Sequence, residues 1–205
     1  MLCGACLRAL RRPGPPNCSR CGAPTVWPVE RCRECSGRRL GFASARAAVV
    51  YAGPARPLVA AWKEHGLRRV ATLAADLVAE ALAAPDADVV TYVPADPDRL
   101  LRRGHHPAER LARELAGRWR LDVVQLLVRQ RGSRGQPARQ AALPRAERVR
   151  NVDDAFVAAA RPPSRVVLVD DVYTTGATAA AASRALRRAG AERVDVVTFA
   201  RTVRA

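Results

Sequence analysis

Residues 165–186 read RVVLVDDVYTTGATAAAASRAL, and this stretch decides the fold of the chain. Its apolar run Val166–Val169 is rich in β-branched side chains, which predicts a strand covered on both faces of a parallel sheet. After a short polar turn, an Ala-rich segment from Ala179 reads as a helix that Gly190 closes. A strand that leads through small residues into a helix N-terminus offers backbone N–H groups to an anion, ordinarily a phosphate. The stretch therefore predicts an anion site at the carboxyl end of a strand.

Two acidic residues, Asp170 and Asp171, stand between this strand and the turn Thr174–Thr178. Carboxylates would repel a bare phosphate, so their position favours a ligand that also carries hydroxyl groups or a metal. A ribose 5-phosphate meets this condition, because the turn can hold the phosphate while the acids accept hydrogen bonds from the ribose hydroxyls. The simpler alternative is an ordinary buried strand followed by a charged turn.

The segment Val166–Thr178 resembles the phosphoribosyl-diphosphate (PRPP) binding motif of type I phosphoribosyltransferases. It is neither a Walker loop nor a dinucleotide fingerprint, because both glycine patterns are missing. The resemblance implies that Mg²⁺ accompanies PRPP and that Asp170 and Asp171 are the catalytic residues. It also implies PRPP contacts from the two acids and from the turn, whose members are Thr174, Thr175, Gly176, Ala177 and Thr178.

The rest of the chain from Arg46 onward alternates between strand and helix patterns. Strand patterns cover 46–52, 88–93, 123–128 and 193–199, and helical patterns cover 54–64, 67–83 and 107–119. This alternation predicts an α/β fold in which helices flank a parallel sheet. The resemblance of Val166–Thr178 implies that this is the type I phosphoribosyltransferase fold. Lys63 stands at the exit of the first of these helices, and Pro94 directly follows the second strand. We expect both residues at the PRPP site.

A basic segment follows that second strand, Asp98–Gly104, with the sequence DRLLRRG. We predict a glycine-punctuated turn there that holds the diphosphate of PRPP, with bidentate contacts from Arg102 or Arg103. A second basic stretch, Arg129–Asn151, is rich in Arg, Gly and Pro. It has the composition of a mobile flap beside the site, and a solvated basic loop is the alternative.

The cysteines form three Cys-x-x-Cys pairs, six residues in all, and every one of them lies within the first 35 residues. Prolines separate the pairs, so this segment needs a staple other than an apolar core. We expect Zn²⁺ rather than disulfides, at a Cys₄ site formed by Cys18, Cys21, Cys32 and Cys35. Pairing of Cys3 and Cys6 with Cys18 and Cys21 stays open, and a redox role for one pair is the alternative. The segment predicts a small N-terminal zinc-ribbon module at 1–42, followed by a phosphoribosyltransferase-like domain at 43–205.

The net charge of the chain is +16, which favours a polyanionic partner such as nucleic acid. Lys63 is the sole lysine, however, and a composition dominated by Arg, Ala, Val and Pro is also what a GC-rich genome produces. Charge alone therefore leaves nucleic-acid binding open. Charged residues interrupt every apolar run, which argues against membrane insertion. The N-terminus has no apolar signal region, so we expect a cytoplasmic protein.

Several features together are similar to the ComF family of competence-associated phosphoribosyltransferase-like proteins. They are cysteine pairs ahead of a PRPP motif, the Arg103-Gly104 step, a lysine at position 63, and the series Gln140, Leu143, Arg148, Asn151 and Phe156. The resemblance covers essentially the whole chain. It implies binding of PRPP or a phosphorylated nucleotide and a role with single-stranded DNA during uptake in natural transformation. The family's usual RGFNQ reads RGHHP at 103–107, and three cysteine pairs stand where the family often has four.

Two other functions stay open on the sequence. One is an active phosphoribosyltransferase that transfers ribose 5-phosphate from PRPP to an unidentified base or amine. The sequence shows no acceptor pocket, because its aromatic residues, among them Trp62, Tyr92, Tyr173 and Phe199, are expected to pack in the core. The other is a non-catalytic adaptor that docks on proteins of the DNA-uptake machinery. The sequence gives no indication of the oligomeric state.

Overall fold

The computed structural model of the protein describes residues 3–64, 66–130 and 155–203. Its strands are β1 (Ser44–Val50), β2 (Val89–Tyr92), β3 (Leu127–Arg129), β4 (Phe156–Ala158), β5 (Arg165–Tyr173) and β6 (Arg193–Arg201). Its helices are α1 (Gly4–Arg8), α2 (Ala55–Glu64), α3 (Arg69–Ala81), α4 (Pro97–Arg103), α5 (Pro107–Trp119) and α6 (Ala177–Arg188). Apart from Arg129 and Gln130, the predicted basic flap lies outside the described residues. No helix in the described ranges is long and apolar enough to cross a membrane.

Four strands form a parallel sheet in the order β1–β6–β5–β2, so β5 has a strand on either side. Successive side chains of β5 enter opposite faces of the sheet, as the pleat requires. Val166 and Leu168 pack in the apolar cluster on one face, and Val167 and Val169 pack in the cluster on the other. The predicted parallel-sheet α/β fold is confirmed.

One face of the sheet is covered by α2, α3 and α5. These helices present their apolar stripes to the sheet, and Trp62 of α2 and Leu111 of α5 are fully buried beneath them. The ring of Trp62 meets that of Phe199 from β6 edge-to-face, with 6.4 Å between ring centroids. The aromatic residues that we expected in the core do pack there, since Trp62, Tyr92, Tyr173 and Phe199 are all buried.

The other face of the sheet is covered by α6 and by the cysteine-rich N-terminal segment. Cys18, Cys21 and Cys35 belong to the same apolar cluster as Leu168 and Tyr173 of the sheet. The segment packs closely on β1: a Cβ atom at Gly22, whose φ is +68°, would lie 2.5 Å from the carbonyl oxygen of Ala45. Only glycine allows this approach and this backbone conformation together.

The predicted strand over 123–128 is wrong in its extent. Val123 makes a single parallel bridge with Val90 of β2, and regular pairing begins only at β3, which is antiparallel to β4. Between them the backbone N–H of Leu126 donates to the hydroxyl of Thr91 at 3.2 Å. This side-chain contact replaces a ladder hydrogen bond, so the chain leaves the main sheet and forms a separate hairpin.

Candidate functional site

A cleft of about 320 Å³ opens at the carboxyl ends of β2 and β5. Parallel α/β sheets bind their ligands at this edge, because the strands end there and helices begin. Seven of the residues expected at the PRPP site line the cleft: Lys63, Pro94, Arg103, Asp170, Asp171, Thr174 and Thr178. The structure thus brings together residues that lie more than a hundred positions apart in the sequence.

The two carboxylates of the motif lie at the end of β5 in different environments. Asp170 is turned back on its own chain, where its Oδ1 accepts the backbone N–H of Asp171 at 2.8 Å. Burial and the neighbouring charge of Asp171 raise the pKa of Asp170 to about 7. The Oδ1 atom of Asp171 lies 2.7 Å from the Nζ atom of Lys63. One acid of the pair is therefore costly to ionise, whereas the other already faces a cation.

The Thr174–Thr178 loop connects β5 to α6 through Gly176, which has a φ of +71° and precedes the first turn of the helix. A Cβ atom at this position would lie 2.1 Å from the hydroxyl oxygen of Tyr173, so only glycine fits. The backbone N–H of Ala177 donates to Oγ1 of Thr175 at 3.3 Å. Thr174 and Thr178 line the cleft, whereas Thr175, Gly176 and Ala177 are not among its lining residues. The loop has the form of an anion-binding helix N-terminus.

The predicted diphosphate turn over 98–104 is wrong as local structure, because this segment is the helix α4. The carboxylate of Asp96 caps it by accepting the backbone N–H of Arg99 at 3.3 Å, and Pro97 suits the first helical position. Arg103 lines the cleft and forms a salt bridge with Glu64 at the end of α2. Arg102 is exposed and is not among the residues that line the cleft.

The cleft also contains residues that the sequence did not single out as PRPP contacts, among them Tyr51, Arg99, His106 and Arg129. Arg99 follows the capping Asp96 by three positions, a signal that a capping analysis of the segment would have found. Arg129 ends β3, and its guanidinium stacks on the ring of Phe156 with 4.8 Å to the centroid. Nothing in the sequence pairs these two residues, because 26 positions lie between them.

The two histidines at 105 and 106 replace the aromatic residue and the amide of the related motif. The ring of His106 accepts the backbone N–H of Glu109 through Nδ1 at 3.2 Å, which is the contact of a helix N-cap. Its Nε2 atom lies 2.8 Å from the backbone nitrogen of Ala95 in the cleft wall. A neutral imidazole has a single acceptor nitrogen, so the ring accepts one of these two N–H groups at a time. An imidazole therefore caps α5 at this position.

Four cysteine sulfurs come together in the N-terminal segment, as predicted: Cys18, Cys21, Cys32 and Cys35 lie within 4.8 Å of one another. The separation is 3.4 Å between Cys21 and Cys32 and 3.6 Å between Cys18 and Cys35. A tetrahedral Zn²⁺ with Zn–S bonds of 2.3 Å needs about 3.8 Å between sulfurs. These residues can therefore hold a zinc ion.

The chemistry of this cysteine cluster also fits a metal. Burial, reinforced by the neighbouring thiol of Cys18, raises the pKa of Cys35 to about 11, and burial raises the pKa of Cys21 as well. Four crowded thiols cannot ionise together unless a cation offsets the charge. Cys3 and Cys6 lie apart from this cluster, where the backbone N–H of Cys6 donates to the sulfur of Cys3 at 3.4 Å. The alternative set with Cys3 and Cys6 is not the one that the structure assembles.

The chain is similar to a known domain family and to several known proteins. The phosphoribosyl transferase domain family matches residues 100–204, just over half of the chain. The chain is 29% identical to "Competence protein ComFC" of Streptococcus pneumoniae over 97% of its own length and 86% of that protein. It is 28% identical to "Competence protein F" of Haemophilus influenzae over 98% of its length and 90% of that protein.

A third relative, "DNA utilization protein YhgH" of Escherichia coli O6:H1, is 30% identical over 98% of this chain and 91% of that protein. No solved structure is significantly similar to the chain. The relatives align with nearly the whole chain, cysteine segment included, and the domain match covers α4 through β6. The chain therefore belongs to the ComF family of proteins with a phosphoribosyltransferase domain.

Proposed function

We propose that this protein binds PRPP or a closely related phosphorylated nucleotide in the cleft, with Mg²⁺. The observation that carries the proposal is the convergence of an acid pair, an anion-binding loop and two cations, Lys63 and Arg103, in one cleft. A ribose phosphate that also carries a diphosphate has hydroxyls, a terminal phosphate and a second anionic group. Each of these has a chemically matched partner among the cleft residues.

Each part of PRPP is assigned to a group of residues in this proposal. Asp170 and Asp171 accept hydrogen bonds from the ribose hydroxyls, and the Thr174–Thr178 loop holds the 5-phosphate. The diphosphate lies towards Lys63, Arg103 and the turn at Pro94. Arg102, which is exposed, has at most a distant electrostatic effect. Mg²⁺ prefers carboxylate and phosphate oxygens, which the acid pair and PRPP would supply together, and a bound Mg²⁺ would offset the negative charge of the diphosphate.

Titration calorimetry of the full chain with PRPP and Mg²⁺ tests this proposal. Binding should occur with one site per chain and should weaken about 10- to 100-fold in Asp171→Asn, which removes a charged acceptor from the ribose. Asp122→Asn is the matched control, because Asp122 is exposed and lies outside the cleft. Absence of heat with the wild type, or equal affinity in Asp171→Asn, would refute the assignment.

We further propose that the protein acts with single-stranded DNA in the cytoplasm during DNA uptake. Two relatives carry competence in their names, and a third carries DNA utilization. The net charge of +16 supports the proposal, as do exposed Trp27 and Val26 on the cysteine-rich segment, where a base can stack. We take residues 1–42 as a zinc-ribbon module and 43–205 as the phosphoribosyltransferase domain.

The DNA proposal is tested by measuring affinity for a single-stranded oligonucleotide as a function of salt. A plot of log affinity against log salt concentration should have a negative slope. Each DNA phosphate that the protein neutralises should make this slope steeper by about 0.7. Trp27→Ala should weaken binding with little change in that slope, because stacking is not ionic. Weak binding with no dependence on salt would instead favour a protein adaptor of the uptake machinery. Diphosphate release with a particular base would favour an active transferase.

A further inference from the structure

Three consecutive carbonyl oxygens where β5 enters the Thr174–Thr178 loop accept hydrogen bonds from Thr202, which follows β6, and from Arg38 of the cysteine-rich segment. Thr202 donates its backbone N–H to the carbonyl oxygen of Tyr173 at 2.9 Å and its hydroxyl to that of Thr174 at 2.9 Å. The Nη1 atom of Arg38 donates to the carbonyl oxygen of Thr175 at 2.8 Å. Each of these three carbonyl oxygens therefore accepts a hydrogen bond.

The orientation of these carbonyls sets the direction of the following amides. In a trans peptide the C=O and N–H bonds point in opposite directions, so the N–H groups of Thr174, Thr175 and Gly176 face away from Thr202 and Arg38. None of the three donates a hydrogen bond to another residue within the described ranges. Unpaired backbone amides on consecutive residues can bind an anion.

Arg38 belongs to the metal-binding part of the chain. Its backbone N–H donates to the carbonyl oxygen of Cys35 at 3.3 Å, and its Nη1 also donates to the carbonyl oxygen of Glu34 at 3.2 Å. Glu34 stands between the cysteines at 32 and 35, and its carboxylate lies 3.3 Å from Nη2 of the buried Arg201. The position of Arg38 is thus fixed by the segment that the metal would order.

The peptide that Arg38 holds is also the one most free to turn over. Rotation of the Thr175–Gly176 peptide changes mainly the ψ of Thr175 and the φ of Gly176. Glycine occupies positive and negative φ with similar ease, so the steric barrier that other residues would supply is missing here. A turned peptide would present a carbonyl oxygen, instead of an N–H group, to a bound phosphate. The hydrogen bond from Arg38 opposes this rotation.

We propose that Arg38 is a positioning residue through which the zinc ribbon holds the anion-binding loop, so that PRPP affinity depends on an intact four-cysteine site. The proposal rests on the proposed function and adds to it a physical link between the metal site and the ligand site. Loss of zinc loosens Cys32–Cys35, Arg38 leaves the carbonyl of Thr175, and the amide of Gly176 no longer stays directed at the phosphate.

The first test compares PRPP affinity in Arg38→Ala with that in the wild type, by calorimetry on the full chain with Mg²⁺. We expect about a 10-fold loss for Arg38→Ala, partial rescue in Arg38→Lys, and unchanged zinc content and Tm. Arg33→Ala is the matched control: it removes the same charge from the same segment, and Arg33 is exposed, with no hydrogen bond or ion pair to any described residue. Equal affinity in the wild type and in Arg38→Ala overturns the proposal.

The second test asks whether the metal acts through this arginine. Zinc is removed by a chelator that is dialysed away before Mg²⁺ and PRPP are added. Metal removal should weaken PRPP binding in the wild type and add little to the loss already present in Arg38→Ala, because coupled changes are not additive. Fully additive losses, or an unchanged affinity of the metal-free wild type, count against the proposal.

A third measurement does not need PRPP. The residual dipolar coupling of the Gly176 N–H bond reports the orientation of that peptide in the ligand-free protein. It should change in Arg38→Ala and in the metal-free chain and stay constant in Arg33→Ala. If the wild type fails to bind PRPP, the proposed function falls, and this coupling alone decides the inference: a changed value supports positioning by Arg38, and an unchanged value refutes it.

Discussion

The ammonium group of Lys63 lies 2.7 Å from the carboxylate of Asp171, although the two residues belong to different elements, α2 and β5. The pair is mostly shielded, with 25% of the lysine side chain and 13% of the aspartate side chain exposed. Arg103 is held nearby by Glu64, the residue that follows Lys63. In the ligand-free protein Lys63 and Arg103 are thus paired with acids, and a phosphorylated ligand that binds these two cations must replace the acids with its own oxygens.

Lys63→Met should weaken PRPP binding by about 10- to 100-fold, because a buried charge-assisted contact to the ligand is lost. The substitution keeps the length of the side chain, so packing of α2 should be preserved. Calorimetry with PRPP and Mg²⁺ measures the effect. Arg69→Met, which removes an exposed charge at the start of α3, is the control and should bind as the wild type does. Normal affinity in Lys63→Met would remove this lysine from the site.

The raised pKa of Asp170, about 7 instead of the ordinary 3.8, predicts a pH-dependent stability. Between these values the folded protein holds a proton that the unfolded chain has released, so stability falls as pH rises through this window. Asp170→Asn removes the effect. We expect the Tm of the variant to be at least about 2–4 °C above that of the wild type at pH 8 and close to it at pH 4. The difference at pH 8 corresponds to a gain of about 1 kcal/mol or more in the free energy of unfolding.

Thermal melts of the wild type, Asp170→Asn and Asp122→Asn over pH 4–8 make this measurement. Asp122 is exposed, so its variant should follow the wild type at every pH. A constant difference in Tm between Asp170→Asn and the wild type across the range would contradict a shifted Asp170.

His105 and His106 are adjacent and have opposite surroundings. The ring nitrogens of His105 lie 2.9 Å from the carbonyl oxygen of Arg103 and 2.8 Å from that of Trp62, whereas those of His106 face two backbone N–H groups. The neutral ring has one acceptor nitrogen, whereas protonation of His106 would make both nitrogens donors that face N–H groups, and burial lowers the pKa of this ring. His106 therefore serves as an acceptor.

His106→Ala should destabilise the protein by about 1 kcal/mol, or about 2–4 °C in Tm, because the N-cap of α5 is lost. His106→Asn should recover most of this stability, since asparagine accepts the same N–H of Glu109. Thermal melts at neutral pH compare the two variants. If Asn and Ala lower Tm equally, the capping contact does not stabilise α5.

Cys32→Ser should abolish stoichiometric zinc binding, since a serine hydroxyl is a poor substitute for a thiolate ligand. Because the cysteine cluster shares an apolar core with Leu168 and Tyr173, the Tm of the whole chain should fall, by on the order of 10 °C. Metal analysis per chain and thermal melts give the two values. Cys3→Ser is the control, and it should keep both. Full zinc content in Cys32→Ser would rule out the proposed ligand set.

The centre of the fold and half of the candidate site follow from local sequence. An unbroken apolar run such as Val166–Val169 is long enough to specify a central strand, and the acids and the small turn after it have fixed positions relative to that strand. The spacing of the cysteine pairs indicates a Cys₄ metal site, because a metal restricts the distances between its ligands, but it does not exclude the alternative set with Cys3 and Cys6. These features share a property: each is set by neighbours in the chain or by a single bound group.

The remaining features depend on contacts between distant segments. The charges and the glycine of Asp98–Gly104 are typical of a turn. The N-cap that indicates a helix lies two residues before this segment, at Asp96. The stacking of Arg129 on Phe156 and the hydrogen bond from Arg38 to Thr175 join segments that no periodicity relates. Long arginine side chains reach partners that the spacing of a helix or strand does not predict.

Lys63 is the sole lysine of the chain, and it sits in the cleft. Reagents that acylate amines consequently have a single side-chain target, apart from the terminal amine, and that target is the one that faces Asp171. The rate at which this amine is acylated therefore reports how often the ion pair between Lys63 and Asp171 is broken. A ligand that occupies the cleft should lower this rate. By the same fact, acetylation of lysine in this protein can act nowhere else.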